Sequence, residues 1–288
     1  MMKNGYLLVI LSAVMYGIEP TFIGLALDRG ISPEMATLFT TAVSLPIFLC
    51  RGLIRKASFR VGLRQGLRLL LLGMLMALTN MLLASSYRLI PVGCATVIHF
   101  MYPTITCLVM TVFFHRRLVP LRAAAILCSI TGMVLITGGG IAGDIHGGLL
   151  ALFSSFTYVA YVVLTDRSRE LAGLDIGVRM FYIGIGTMLT AGLTALRNPA
   201  FPVMQGSALV YLLLCGIMLT VAHASFAMGV DRIGATSASF FSLFEPVTSM
   251  LVSFLVYHYQ LGWMALAGCG LTMLSVLCVS AADHKEAR

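Results

Sequence analysis

Two glutamates stand in stretches of chain where a carboxylate is costly. Glu245 is the sole formally charged residue among the fifty between Arg232 and Asp283, and Glu19 lies inside the apolar run that follows Lys3. A carboxylate in the hydrocarbon core of a membrane costs roughly 2.5–3.5 kcal/mol or more unless it is protonated, paired or facing a wet cavity. Proline follows each directly, as Pro20 and Pro246, removing a backbone donor and loosening the helix beside the charge. The apolar runs offer no lysine or arginine as a fixed partner. Histidine, a proton, water or a cationic solute is left to fill that role, and Glu245 is read as one wall of a solute pathway.

Other polar side chains sort by helical spacing. Tyr16 and Glu19 are three apart and share a helix face, as do His99 and Tyr102. Asn80 and His223 stand alone in apolar surroundings. At 1.5 Å per residue Glu19 lies ~21 Å along its run from Gly5, and Glu245 lies ~16 Å from Gly234, near midplane. His99 is at a depth where a contact with Glu19 is geometrically allowed.

The elements that position these residues are ten apolar runs, at roughly 5–27, 33–50, 67–87, 92–114, 120–137, 147–165, 176–196, 206–228, 234–257 and 262–282. Each is long enough to cross a bilayer, which takes ~20 residues. The breaks carry turn or charge signals: Asp28-Arg29-Gly30, the basic segment from Arg51 to Arg68, Ile90-Pro91, His115-Arg116-Arg117, Gly138-Gly139-Gly140 and Asn198-Pro199. With 59% hydrophobic and 10% charged residues and a mean hydropathy of +0.97, the chain falls far below the ~25% charge of soluble domains. The predicted fold is an all-α membrane protein of ten transmembrane helices. The net charge of +8 reflects short basic loops and not a nucleic-acid partner. Placing the N-terminus in the cytoplasm puts sixteen basic residues, Arg179 and Arg232 among them, on the inner side and only Arg29, Arg88 and Arg197 outside. That bias predicts cytoplasmic termini. The N-terminal run is too long for a signal peptide and is taken as the first span.

The halves repeat. Gly5-Tyr6-Leu7-Leu8 matches Gly147-Gly148-Leu149-Leu150, and Ser12 and Tyr16 fall on Ser154 and Tyr158 at the same offset, 147 − 5 = 142. Pro103 falls on Pro246 and His115 on His258 at 246 − 103 = 143. The predicted units are 1–140 and 146–288. Each holds five spans, an odd number, so the second enters the membrane inverted, an arrangement typical of alternating-access transporters with a midplane site. Polar positions recur while residue types change. Tyr16 and Glu19 map onto Tyr158 and Tyr161, His99 and Tyr102 onto Ser242 and Glu245, and Asn80 onto His223. Symmetric positions with asymmetric chemistry suit a cavity that holds one asymmetric solute. These ten residues are the candidate substrate-binding set, with Pro20, Pro103 and Pro246 as helix breaks.

Ten spans in two five-span units, with a proline inside the fourth span of each, resemble the drug/metabolite transporter superfamily, in particular its EamA-like members. The resemblance implies a pseudo-symmetric bundle whose central cavity is lined mostly by spans one, three, four, six, eight and nine. It implies movement of amino acids, other small metabolites, amines or nucleotide-linked sugars, many of them outward. Members often carry a glutamate just after the fourth and ninth spans; here His115-Arg116-Arg117 and His258-Tyr259-Gln260 occupy those places.

No HExxH, GxSxG or CxxC motif occurs, and the triple glycine at 138–140 lacks a following Gly-Lys-Ser/Thr. The seven cysteines lie in apolar runs without metal-ligand spacing and are read as packing residues. No cofactor or metal is expected. The leading reading is a secondary transporter of an amino acid or related amine across the cytoplasmic membrane, as monomer or homodimer, with the proton as candidate coupling ion. The rivals are a membrane enzyme acting on a lipid or isoprenoid and a non-transporting scaffold. Reporter fusions after Arg68 and Lys285 should read cytoplasmic, and one after Gly140 external. A cytoplasmic signal at Gly140 overturns the inverted arrangement.

Overall fold

The computed structural model describes residues 2–90, 92–115, 118–136, 144–196, 206–257 and 262–286. Every regular element among them is a helix: α1 (Met2–Leu27), α2 (Pro33–Ile54), α3 (Leu63–Ser86), α4 (Val92–His99), α5 (Tyr102–Val112), α6 (Pro120–Ile136), α7 (Ile145–Arg167), α8 (Arg169–Ala172), α9 (Ile176–Ala195), α10 (Gly206–Phe241), α11 (Phe244–Tyr257) and α12 (Trp263–Glu286). Six of them, α1, α2, α3, α7, α9 and α10, are long and apolar enough to cross a membrane. The fourth span is divided into α4 and α5, and the ninth continues from the end of α10 into α11. The predicted breaks at Pro91, Arg116-Arg117, Gly138–Gly140 and Asn198-Pro199 lie outside the described residues, as does His258.

Helix starts follow from capping chemistry. Ser32 accepts from the Met35 amide at 3.3 Å with Pro33 in the first turn of α2, and Asp175 accepts from the Gly177 amide at 2.7 Å. Asp144 caps α7, where the His146 backbone N–H and then its ring hold the carboxyl below the ordinary carboxylate range. Between the eighth and ninth spans the sequence implied a break over 229–233, and no loop is present. The backbone bends at Gly234 alone, with φ 78° and ψ 165°, a conformation essentially reserved for glycine. The Ala235 amide that this bend frees donates to Asp166 Oδ1 of α7 at 3.1 Å, which anchors the start of the ninth span on the sixth.

The two repeats are laced through each other. Spans pair mainly across the repeat boundary: α1 with α10, α3 with α7, α2 and α3 with α9, α10 with α2, and α6 with α12. Glycines show the pairing to be two-fold. Gly5 packs on Ile233 and Gly147 on Ile90, positions related by the same offsets as the sequence repeat. Likewise Gly73 lies against the α9 backbone and accepts from Thr187 Oγ1 at 3.0 Å, while its mate Gly216 lies against α2 and accepts from Ser44 Oγ at 3.2 Å. Small residues let these backbones approach where no hydrophobic force distinguishes helix from lipid. A methyl group at Gly73 would collide with the Ile183 carbonyl and the Thr187 amide, neither of which can swing aside. Gly73→Ala should therefore cost about 1–3 kcal/mol, the range for overpacking. Gly192→Ala, where the nearest atom is a Leu38 methyl at 3.9 Å, should not lower the thermal midpoint in detergent. Equal midpoints for the two variants would refute the close approach at Gly73.

Candidate functional site

Both broken spans are built from the same missing donor. Pro103 has no N–H, so the His99 carbonyl four residues back loses its helical partner. Ser155 Oγ on α7 reaches that carbonyl at 2.9 Å and the Ile98 carbonyl at 2.9 Å. The chain turns through Phe100-Met101, with the Met101 amide bonded to Ile98 O at 3.1 Å, and restarts as α5. In the ninth span Pro246 frees the Ser242 carbonyl, which takes the Glu245 amide at 2.9 Å in a tightened turn instead. The turns set His99 and Tyr102 from one repeat, and Ser242 and Glu245 from the other, at the centre of the bundle.

Between them lies an open cavity of about 760 Å³ whose lining includes Tyr16, Glu19, Asn80, His99, Tyr102, Tyr158 and Glu245. Seven of the ten predicted site residues thus share one space. Pro20 lies on its wall, and Pro33 and Tyr87 border it towards the end where α2 begins. Gly17 brings together the helices that carry the two carboxylates. A Cβ there would lie 2.6 Å from the Glu245 carbonyl oxygen and from Thr248 Cβ, so α1 and α11 touch backbone to backbone. The carboxylates are near enough to interact electrostatically. Among the described residues neither has a hydrogen-bond or ion-pair partner in the protein, and no lysine or arginine lines the cavity. Glu19 and His99 border the same space without forming an ion pair; the groups around Glu19 are Tyr87, Cys215 and Glu245.

The opposite wall is aromatic. Tyr158 packs edge-on to Tyr102 with centroids 4.7 Å apart, meets His99 at 5.6 Å and stacks on Tyr161 at 5.9 Å. Ser154 Oγ donates to the Ala151 carbonyl at 2.6 Å, so its 2.8 Å contact with His99 Nδ1 must run from the ring N–H. This assigns the Nδ1–H tautomer and leaves Nε2 as an acceptor. Tyr16 packs edge-on to His223 at 5.6 Å. Buried and without a hydrogen-bond partner among the described residues are Tyr16 Oη, Tyr102 Oη, Tyr161 Oη and His223 Nε2. Buried polar atoms left open in this way cluster where a ligand or water completes them.

Three predicted residues lie off this cavity. Tyr161 and His223 border a second, smaller chamber, which Asn80 also reaches. Ser242 lines neither; it is buried beside Tyr102 and donates to the Ala238 carbonyl at 3.1 Å, because the turn at 242–243 directs its hydroxyl back onto its own helix. The expectation that the spans hold no basic residue is also corrected. Arg179 sits in the first turn of α9 at 1% exposure, bonded to Asp231 Oδ2 at 2.6 Å, with Nε and Nη2 unpartnered in the protein. Its pair is with Asp231 and with neither glutamate. Sequence reasoning also passed over Thr37, Thr40, Thr41 and Ser44, a hydroxyl stripe on one face of α2. Their spacing, i, i+3, i+4 and i+7, was the available signal. Each hydroxyl bonds a carbonyl one turn back; Ser44 Oγ also donates to the Gly216 carbonyl and accepts from Thr220 Oγ1 on α10. Spans two and seven therefore line the path along with those expected.

A family model described as the EamA-like transporter family matches residues 3–138 and again 145–281. The chain belongs to the EamA-like transporter family. This EamA-like chain is 26% identical over 303 residues to an uncharacterized inner membrane transporter, YicL, of Salmonella typhimurium (strain LT2), covering 99% of this chain and 98% of that one. It is 21% identical over 294 residues to an uncharacterized transporter, YcbK, of Bacillus subtilis (strain 168), with 92% and 89% covered. A crystal structure at 18% identity superposes with a TM-score of 0.77 over 98% of each chain, which shows the shared fold. The family is one of membrane transporters, and the lipid-enzyme reading falls away.

The unpartnered hydroxyls of this EamA-like protein make opposite demands from those that bond. Ser155→Ala leaves the His99 carbonyl short of a donor and the Ile98 carbonyl with the Met101 amide alone, and should lower stability by about 1–3 kcal/mol. Tyr16→Phe removes a hydroxyl with no protein partner and should leave the thermal midpoint of the solute-free protein unchanged or raise it. A loss at Tyr16→Phe matching that at Ser155→Ala would mean the phenol is structural.

Proposed function

We propose that this chain is a secondary transporter moving a small amine-bearing metabolite, an amino acid or related amine, out of the cell by alternating access. The observation that carries the reading is the pair of unneutralised carboxylates, Glu19 and Glu245, in one cavity with an aromatic wall. An ammonium group entering it finds counter-charge that the protein does not otherwise satisfy, and tyrosine faces that favour a cation. The ten predicted residues then divide into a main binding cavity and an adjoining chamber that holds Tyr161 and His223. Ser242 has a supporting place beside Tyr102.

The chain would lie in the inner membrane, as the name of the Salmonella relative has it, with both termini in the cytoplasm on the basic-residue bias. That bias remains fourteen to three once the buried Arg122 and Arg179 are set aside. The repeats 1–140 and 146–288 would be the units that rearrange, and the proton is the candidate coupling ion.

Two roles for Glu245 are separable: exchanging a proton for the solute, or neutralising its ammonium group. Glu245→Gln keeps the shape and cannot ionise. In proteoliposomes with the solute identified from an amino-acid and amine panel, we expect solute exchange and pH-driven transport to fall together. The loss should be roughly ten- to a hundredfold, as for a hydrogen bond to a charged group. Retained exchange with lost pH-driven transport would make Glu245 the coupling site instead. Wild-type rates in both assays would refute either role.

A further inference from the structure

The described residues enclose another cavity beside the one that holds the glutamates. A second chamber of about 420 Å³ lies further along α2, lined in part by Thr41, Ser44, Tyr161, Thr187 and His223. The chambers differ in chemistry. The first holds two carboxylates, whereas no acidic or basic residue other than His223 borders the second. Four residues border both: Thr40, Met76, Asn80 and Leu219.

Two of these four are related by the repeat. Met76 on α3 and Leu219 on α10 stand 219 − 76 = 143 apart, the offset that joins Pro103 to Pro246. Positions exchanged by a pseudo-two-fold that border the same two chambers flank the axis itself. Both are apolar and nearly closed off, at 3% and 7% exposure. Their helices, α3 and α10, are not one of the closely packed pairs, and both side chains border the same two chambers. The polar members of the set, Thr40 and Asn80, stand at the same divide.

We propose that Met76 and Leu219 form an apolar septum between the two chambers, the constriction a solute passes when it moves from the carboxylate cavity to the hydroxyl-lined one. This rests on the transporter reading. An apolar constriction gates by dewetting and by size. An ammonium group leaving Glu19 and Glu245 must shed water to pass it, with Thr40 and Asn80 as the adjacent hydrogen-bonding groups. The septum thereby keeps the two polar chambers from joining into one water-filled leak.

The test follows access and not transport, so it reads the septum even in a chain that transports nothing. Single cysteines are placed at Thr37, which borders the first chamber alone, and at Thr41, which borders the second alone. The background has the seven native cysteines replaced by serine or alanine. A membrane-impermeant cationic methanethiosulfonate is applied to intact cells and, separately, to inverted vesicles. From the face bearing Pro33 and Tyr87, Thr41→Cys should react about tenfold more slowly than Thr37→Cys, and Met76→Ala with Leu219→Ala should bring the rates within about threefold. If that double variant does not elute as a single species, Leu219→Ala alone is read the same way. The proposal is overturned if Thr41→Cys reacts as fast as Thr37→Cys with the septum intact. It is equally overturned if Thr41→Cys stays slow in a well-folded septum variant.

Discussion

A backbone carbonyl at membrane depth has no water to turn to, and each proline in these spans takes away a donor that some other group must replace. The centre of the molecule is arranged around that requirement. In the fourth span the replacement comes from Ser155 on a neighbouring helix; in the ninth it comes from the chain itself, through the Glu245 amide. Because both turns fall at the same depth in opposite repeats, the residues beside them converge on one space. The cavity is the consequence of two helices that cannot run straight and of neighbours that accommodate them.

Close helix contact serves the same end. Gly73 and Gly216 let the second and third spans of one repeat seat on those of the other, and Gly17 lets α1 meet α11 at Glu245 itself. These contacts follow the two-fold relation, whereas the side chains that face the solute path do not. Tyr16 and Tyr158 are the same residue at related positions, yet one faces His223 and the glutamates and the other an aromatic cluster. Symmetry supplies the scaffold, and departure from it makes the walls of the cavity chemically different.

Much of this was legible in the chain before any coordinates. A lone glutamate in fifty apolar residues, followed by proline, marks a site because so few arrangements tolerate it. The repeat followed from glycine, serine and tyrosine coinciding at an offset of 142 and proline at 143. Less legible was anything that depends on which face a residue turns to. Arg179 read as a loop charge because it sits three residues into its helix, and only the packing of Gly177 against Phe48 and Gly52 shows that this turn is covered. Ser242 read as a cavity residue by symmetry with His99, and a shift of one residue in the turn sent its hydroxyl elsewhere. The serine and threonine stripe on α2 was visible in principle, but hydroxyls that bond their own helix do not stand out among apolar neighbours. The septum needed the chambers themselves to be seen.

The unequal support of the two broken spans has a mechanical consequence. One elbow is pinned from outside by Ser155 of another helix, and the other is held by a single turn of its own chain. Two joints of different stiffness in series do not flex together; strain collects at the softer one first. In a cycle that bends both, the ninth span would yield before the fourth, carrying Glu245 and, through the Gly17 contact, Glu19 along with it. The carboxylate pair would then ride on the more compliant arm together with Tyr16, while Tyr102 and Tyr158 stay with the pinned one.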